Sequence, residues 1–191
     1  MSHLADPSSA PPAASAPSVV RVLVPLLVGS LVAVTLGAYG RAHDATYGSI
    51  PTLGFSSTLQ MKSVLASIAV VLALLQMASA LRMYGRIGSA PSGRSVSRIH
   101  RTSGVLAVLV TLPVAYQCLW GLGFQTTTTR VLAHSLLGCV FYGVFVAKML
   151  TLRTKGVPGW ALPWLGGLTF ATLIGVWLTS ALWYFTTGST Y

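Results

Sequence analysis

Two histidines stand a short way inside long apolar runs. The runs read Ile99-His100-Arg101-Thr102-Ser103-Gly104 and Ala133-His134-Ser135-Leu136-Leu137-Gly138. In each, a glycine follows the histidine by four residues. That is about one helical turn, so the imidazole and a face without a side chain lie on the same side of a helix. An imidazole nitrogen ligates iron, and the bare face beside it admits a flat ring. The spacing therefore points to haem, with His100, His134, Gly104 and Gly138 as the cofactor-binding positions. The remaining axial ligands stay open at this point.

The elements that carry these residues follow from composition. Of 191 residues, 53% are hydrophobic and 7% charged. A soluble domain carries about a quarter charged residues, so the chain reads as an integral membrane protein. Residues 1–18 are rich in Ala, Ser and Pro and read as a disordered tail. Residues 19–187 read as an all-α membrane bundle of five transmembrane helices. The spans are predicted at about 20–40, 58–84, 98–121, 130–152 and 160–186, each long enough for about 30 Å of hydrocarbon. Helix is required because an isolated strand cannot satisfy its backbone in lipid. The run after Arg21 is too long for a cleaved leader and reads as a retained span. Pro25 sits near the entry of the first span, where Gly29, Gly37 and Gly40 read as close-packing positions. Gly166-Gly167 likewise reads as helix packing, and Pro113 is expected to kink the third span.

Charge gives orientation. The net charge is +10, which in a soluble protein would suggest nucleic acid. Here the basic residues gather at span ends, so topology explains them and a nucleic-acid partner is excluded. Arg21, Arg82, Arg86, Arg94, Arg98, Arg101, Lys148, Arg153 and Lys155 fall on one side, and Arg41, Lys62 and Arg130 on the other. The first set marks the cytoplasmic side, which puts the N-terminus inside and the protein in the cell membrane. Trp120, Trp183 and Tyr184 fall at outer ends, and Trp160 and Trp164 at an inner end, as interfacial anchors. Asp6 and Asp44 are the only acids. Paired-carboxylate catalysis is thereby excluded, and a carboxylate-based carrier is disfavoured. Cys118 and Cys139 fall at different depths, so they read as free packed thiols.

Depth separates the two histidines. His100 lies near the inner end of the third span and His134 near the outer end of the fourth, about 25 Å apart along the helix direction. One iron cannot bind both. Two haems, one per leaflet, would pass electrons across the membrane.

Spans two to five resemble the core of the cytochrome b561 and ferric-reductase-like membrane cytochromes. The resemblance rests on Arg98–Leu106, on the His134–Gly138 run, on Gln76–Arg86, and on Trp164-Leu165-Gly166. It covers about residues 58–186 and implies four ligand histidines, one per core helix. Two of those positions depart from the pattern. In span two the position falls near Gln60, Met61 or Lys62, and in span five near Leu162 or Pro163. The inner pair is broken. The outer pair survives as His134 with Met61, whose thioether is an accepted axial ligand. His43 is the alternative should the first outer loop fold back, and Met83 or Met149 offer sulfur to His100. Arg98, Arg101, Lys62 and Arg130 are candidate partners for haem propionates. Lys62, placed at the start of a span, is a functional candidate in its own right.

The resemblance implies electron transfer at or across the bilayer by one or two non-covalent b haems, one being favoured over two. A quinone or a redox protein would be the partner. No flavin or nicotinamide domain is present. The rival expectation is a haem-free anchor or accessory subunit of a redox or respiratory complex.

Overall fold

The computed structural model describes residues 18–47, 51–88 and 93–187. The expected tail falls almost wholly on residues 1–17, outside the described residues. Five helices are long and apolar enough to cross a membrane: α1 (Val20–Ala42), α2 (Thr58–Met83), α3 (Arg94–Leu122), α4 (Thr129–Arg153) and α5 (Ala161–Thr187). The chain is an all-helical, multi-pass membrane protein. The predicted spans agree within two residues at most ends, but α3 starts four residues before the predicted 98, because the helix continues through its arginine-rich first turn.

Large apolar side chains face outward along the bundle. Leu27 is 68% exposed, Val71 58%, Leu109 53% and Leu168 47%. Such a surface is stable only against hydrocarbon. Side chains at the outer helix starts close the first turns of α2 and α4. Ser57 accepts from the Gln60 N–H at 3.1 Å, and Thr128 accepts from the Val131 N–H at 3.2 Å. Each satisfies a backbone donor that the helix leaves unpaired.

The packing order is not the chain order. α2 packs along α3, and α4 lies between α1 and α5. The α1–α4 seam is a backbone contact. A Cβ on Gly143 would lie 2.5 Å from the Gly29 carbonyl and 2.8 Å from the Ala33 Cβ, and a Cβ on Gly29 would collide with the Gly143 carbonyl. Small residues here let two helices touch directly, as helix association in lipid favours. Gly29 meets the close-packing expectation at this seam, Gly40 meets it against Phe124, whose N would lie 3.2 Å from a Cβ there, and Gly37 does not, its nearest neighbour being Cys139 Sγ at 3.8 Å. Gly166 and Gly167 do not: a Cβ on either meets nothing within 4 Å. Gly167 instead lines an open apolar groove between α1 and α5.

At mid-depth, Ala69, Ala73, Phe141 and Leu173 form a buried apolar layer, packed by Val110, Tyr142 and Phe170. Two polar links tie the helix pairs together. The Trp177 indole N–H donates to Ser67 Oγ at 2.9 Å, and the Tyr142 hydroxyl reaches Thr111 Oγ1 at 3.0 Å. This layer separates two polar clusters, one towards each membrane face.

Neither α3 nor α5 is regular throughout. Each opens into a π-helical segment in its C-terminal half, Gln117–Leu122 in α3 and Leu178–Leu182 in α5. The first begins four residues after Pro113, which lies inside the helix and has no N–H to donate.

Candidate functional site

His134 lies one and a half turns into α4. Its Nδ1 is 3.2 Å from Thr179 Oγ1, in the π-helical segment of α5. Thr179 is itself a donor to the Gly175 carbonyl, at 2.8 Å. A hydroxyl has one proton. With that proton on a backbone carbonyl, of Gly175 or, at 3.0 Å, of Val176, Thr179 can accept from His134 Nδ1–H. In that tautomer Nε2 keeps its lone pair, the form in which an imidazole ligates a metal. The wider turn also brings the Thr179 carbonyl to Arg130, whose guanidinium donates to it at 2.6 Å. Arg130 lies over the Trp183 ring, 3.9 Å from its centroid. Lys62 and Arg130 both lie close enough to act electrostatically on His134. The site is cationic, and Gly138, one turn further along α4, has open space where a Cβ would stand.

His100 has the same first partner chemistry. Its Nδ1 is 2.8 Å from Ser79 Oγ, which donates to the Gln76 carbonyl at 3.0 Å. The surroundings differ. The Gln76 amide donates to the His100 carbonyl and to Ser103 Oγ, the latter at 2.8 Å. That amide fills the face that Gly104 leaves bare: a Cβ on Gly104 would lie 3.1 Å from Gln76 Nε2. Gln76, Ser79, His100 and Ser103 form a clasp between α2 and α3. Lys148 of α4 lies close enough to act on His100.

Met61 is fully buried. Its thioether faces the Gln117 amide of α3, with Nε2–Sδ at 3.9 Å. Gln117 also donates to the Pro51 carbonyl at 3.4 Å. His43 is held in an aromatic stack, 4.4 Å from Trp120 and 5.2 Å from Tyr39 by ring centroids. Its Nε2 is buried and has no hydrogen-bond partner among the described residues. Met83 and Met149 are 36% and 39% exposed on their helices. Cys118 and Cys139 are both free. Among the described residues no group of three or more His, Cys, Asp or Glu side chains is assembled to hold a metal ion.

The donor chemistry at His134 is compatible with an axial ligand to haem iron: an imidazole whose Nδ1 has a hydroxyl partner, an open glycine face and two nearby cations. The His100 site shares the hydroxyl partner but not the open face. Thr179, Gln76 and Ser79 were not singled out as partners by sequence reasoning. Their signal is a hydroxyl or amide on an apolar helix at the depth of a histidine.

A family of unknown function, DUF6529, matches residues 22–191, and the chain belongs to it. No curated protein and no solved structure matches the chain.

Proposed function

For this member of a family of unknown function, we propose a membrane b-type cytochrome. It carries one non-covalent haem b in the outer half of the bundle, with His134 as the axial ligand. It passes electrons at or across the cell membrane, to or from a quinone or a redox protein. The observation that carries the reading is the hydrogen-bond chain from His134 Nδ1 through Thr179 Oγ1 to the Gly175 carbonyl. Such a partner on the second ring nitrogen is the usual companion of a ligating histidine. Bound haem supplies one-electron chemistry at iron.

The chain's own residues do the rest. His134 offers Nε2, Thr179 fixes the ring, and Gly138 leaves room beside it. Lys62 and Arg130 balance the carboxylates of the ligand in a region where the described residues offer no acidic side chain except Asp44 of the first outer loop. The apolar mid-layer around Phe141 and Leu173 keeps the site on one side of the bundle.

The test is the reduced-minus-oxidised visible spectrum of protein purified with haem in excess. The expected result is Soret and α-band differences at about one haem per chain. A colourless, folded protein overturns the proposal and leaves a haem-free accessory subunit. Two observations favour that second reading: the filled face at Gly104 and the engagement of Met61 with Gln117.

A further inference from the structure

Arg94, Arg98 and Arg101 recur at i, i+4 and i+7 over the first two turns of α3. That spacing puts all three on one face. With Ser97 and Thr102 they line a pocket of about 270 Å³. All three are exposed, and none makes a hydrogen bond to another described residue. Two other arginines on this side are used internally. Arg82 donates to the Ile87 carbonyl at 3.1 Å and Arg21 to the Lys155 carbonyl at 3.0 Å.

Nothing in the described protein neutralises the pocket. Asp44 is the only acidic side chain among the described residues, and it follows the far end of α1. The first turn of α3 contains no acidic residue, and Gly93 ahead of it offers no side-chain cap. Among the described residues nothing competes with an external anion for this pocket. The topology rule accounts for arginines on this side, but not for three of them converging on one pocket with two hydroxyls. The pocket opens at the start of a membrane span, the depth of lipid headgroups.

Size selects the headgroup. Arg94 and Arg101 are seven residues apart, about 10 Å along the helix. Two phosphates spaced along that row let each meet a guanidinium without drawing all three side chains to one point. Guanidinium groups bind phosphate oxygens in pairs, through a planar fork that an ammonium lacks.

We propose that Arg94, Arg98 and Arg101 form a binding site for an anionic phospholipid whose headgroup carries two phosphates. The site is independent of haem and stands or falls without it. It assigns Arg98 and Arg101 to lipid rather than to a haem propionate.

The test uses the full chain in nanodiscs of neutral lipid doped with diphosphatidylglycerol, or with phosphatidylglycerol at equal total charge. Native mass spectrometry counts the retained lipid. The expected result is at least tenfold preferential retention of the diphosphate lipid. The triple variant Arg94→Gln, Arg98→Gln, Arg101→Gln loses that preference. The variant Arg86→Gln, Arg153→Gln, Lys155→Gln removes the same charge from the same side and keeps it. Changing the three α3 arginines to lysine preserves charge, and with it the fold, but weakens retention several-fold. Equal retention of the two lipids at matched charge overturns the proposal. So does equal loss in the two glutamine variants, because either result reduces the effect to general surface attraction.

Discussion

The two halves of this bundle each hold one histidine within a spanning helix, and the surroundings of the two differ. Both imidazoles present Nδ1 to a hydroxyl that donates onward to a backbone carbonyl. At the inner end, Gln76, Ser79 and Ser103 take up the space and the hydrogen bonds around His100, and the result joins α2 to α3. At the outer end, two helices widen into π-helical turns, one of which carries Thr179 to His134. Such turns recur at functional sites because they redirect side chains and free carbonyls. The same imidazole–hydroxyl pair can therefore lock two helices together or hold a ligating nitrogen ready. What decides is whether the neighbouring glycine face is filled.

The sharpest way to break this contrast is at the glycines. Gly138→Leu fills the open face beside His134 and is expected to lower haem content at least tenfold, measured by the pyridine haemochrome of purified protein, with insertion unchanged. Unchanged haem would make Gly138 an ordinary lipid-facing position. The next effect is smaller. Thr179→Val removes the acceptor for His134 Nδ1 and is expected to weaken haem about tenfold or more, the usual loss when such a partner is removed. Ser79→Ala, the matching change at His100, should leave haem content alone.

Changes within the inner clasp sharpen the comparison through stability. Gln76→Ala takes a donor from Ser103 and from the His100 carbonyl at partly buried positions. It is expected to cost about 1–3 kcal/mol, read as a lower midpoint in detergent unfolding at constant haem content. The smallest effect belongs to Met61→Leu. Its sulfur is engaged by Gln117, so the substitution should alter the haem spectrum little. A change from low-spin to high-spin on that substitution would instead return Met61 to the iron.

The positions of the spans were legible because each is an unbroken apolar run bounded by basic or turn residues. The close α1–α4 seam was legible at Gly29, and the two histidines stood out as polar groups in apolar helices. What stayed hidden depends on rotation about the helix axis. Depth paired Met61 with His134 but could not show that the Met61 thioether also faces the Gln117 amide. The π-helical segments also left no mark, because an extra residue in a turn changes neither composition nor length. Without them Thr179 cannot be placed against His134. Gly166-Gly167 shows the converse error. Small residues in a membrane helix read as packing, but here a Cβ on either would meet nothing, and Gly167 lines the groove between α1 and α5.

The central claim is that the outer histidine is a ligand and the inner one a structural link. The most direct measurement is haem content per chain in His134→Ala and His100→Ala, purified side by side with haem in excess. The account predicts that His134→Ala is colourless while still folded, and that His100→Ala retains about one haem per chain with an unaltered reduced-minus-oxidised spectrum. Loss of haem in His100→Ala with retention in His134→Ala would contradict it.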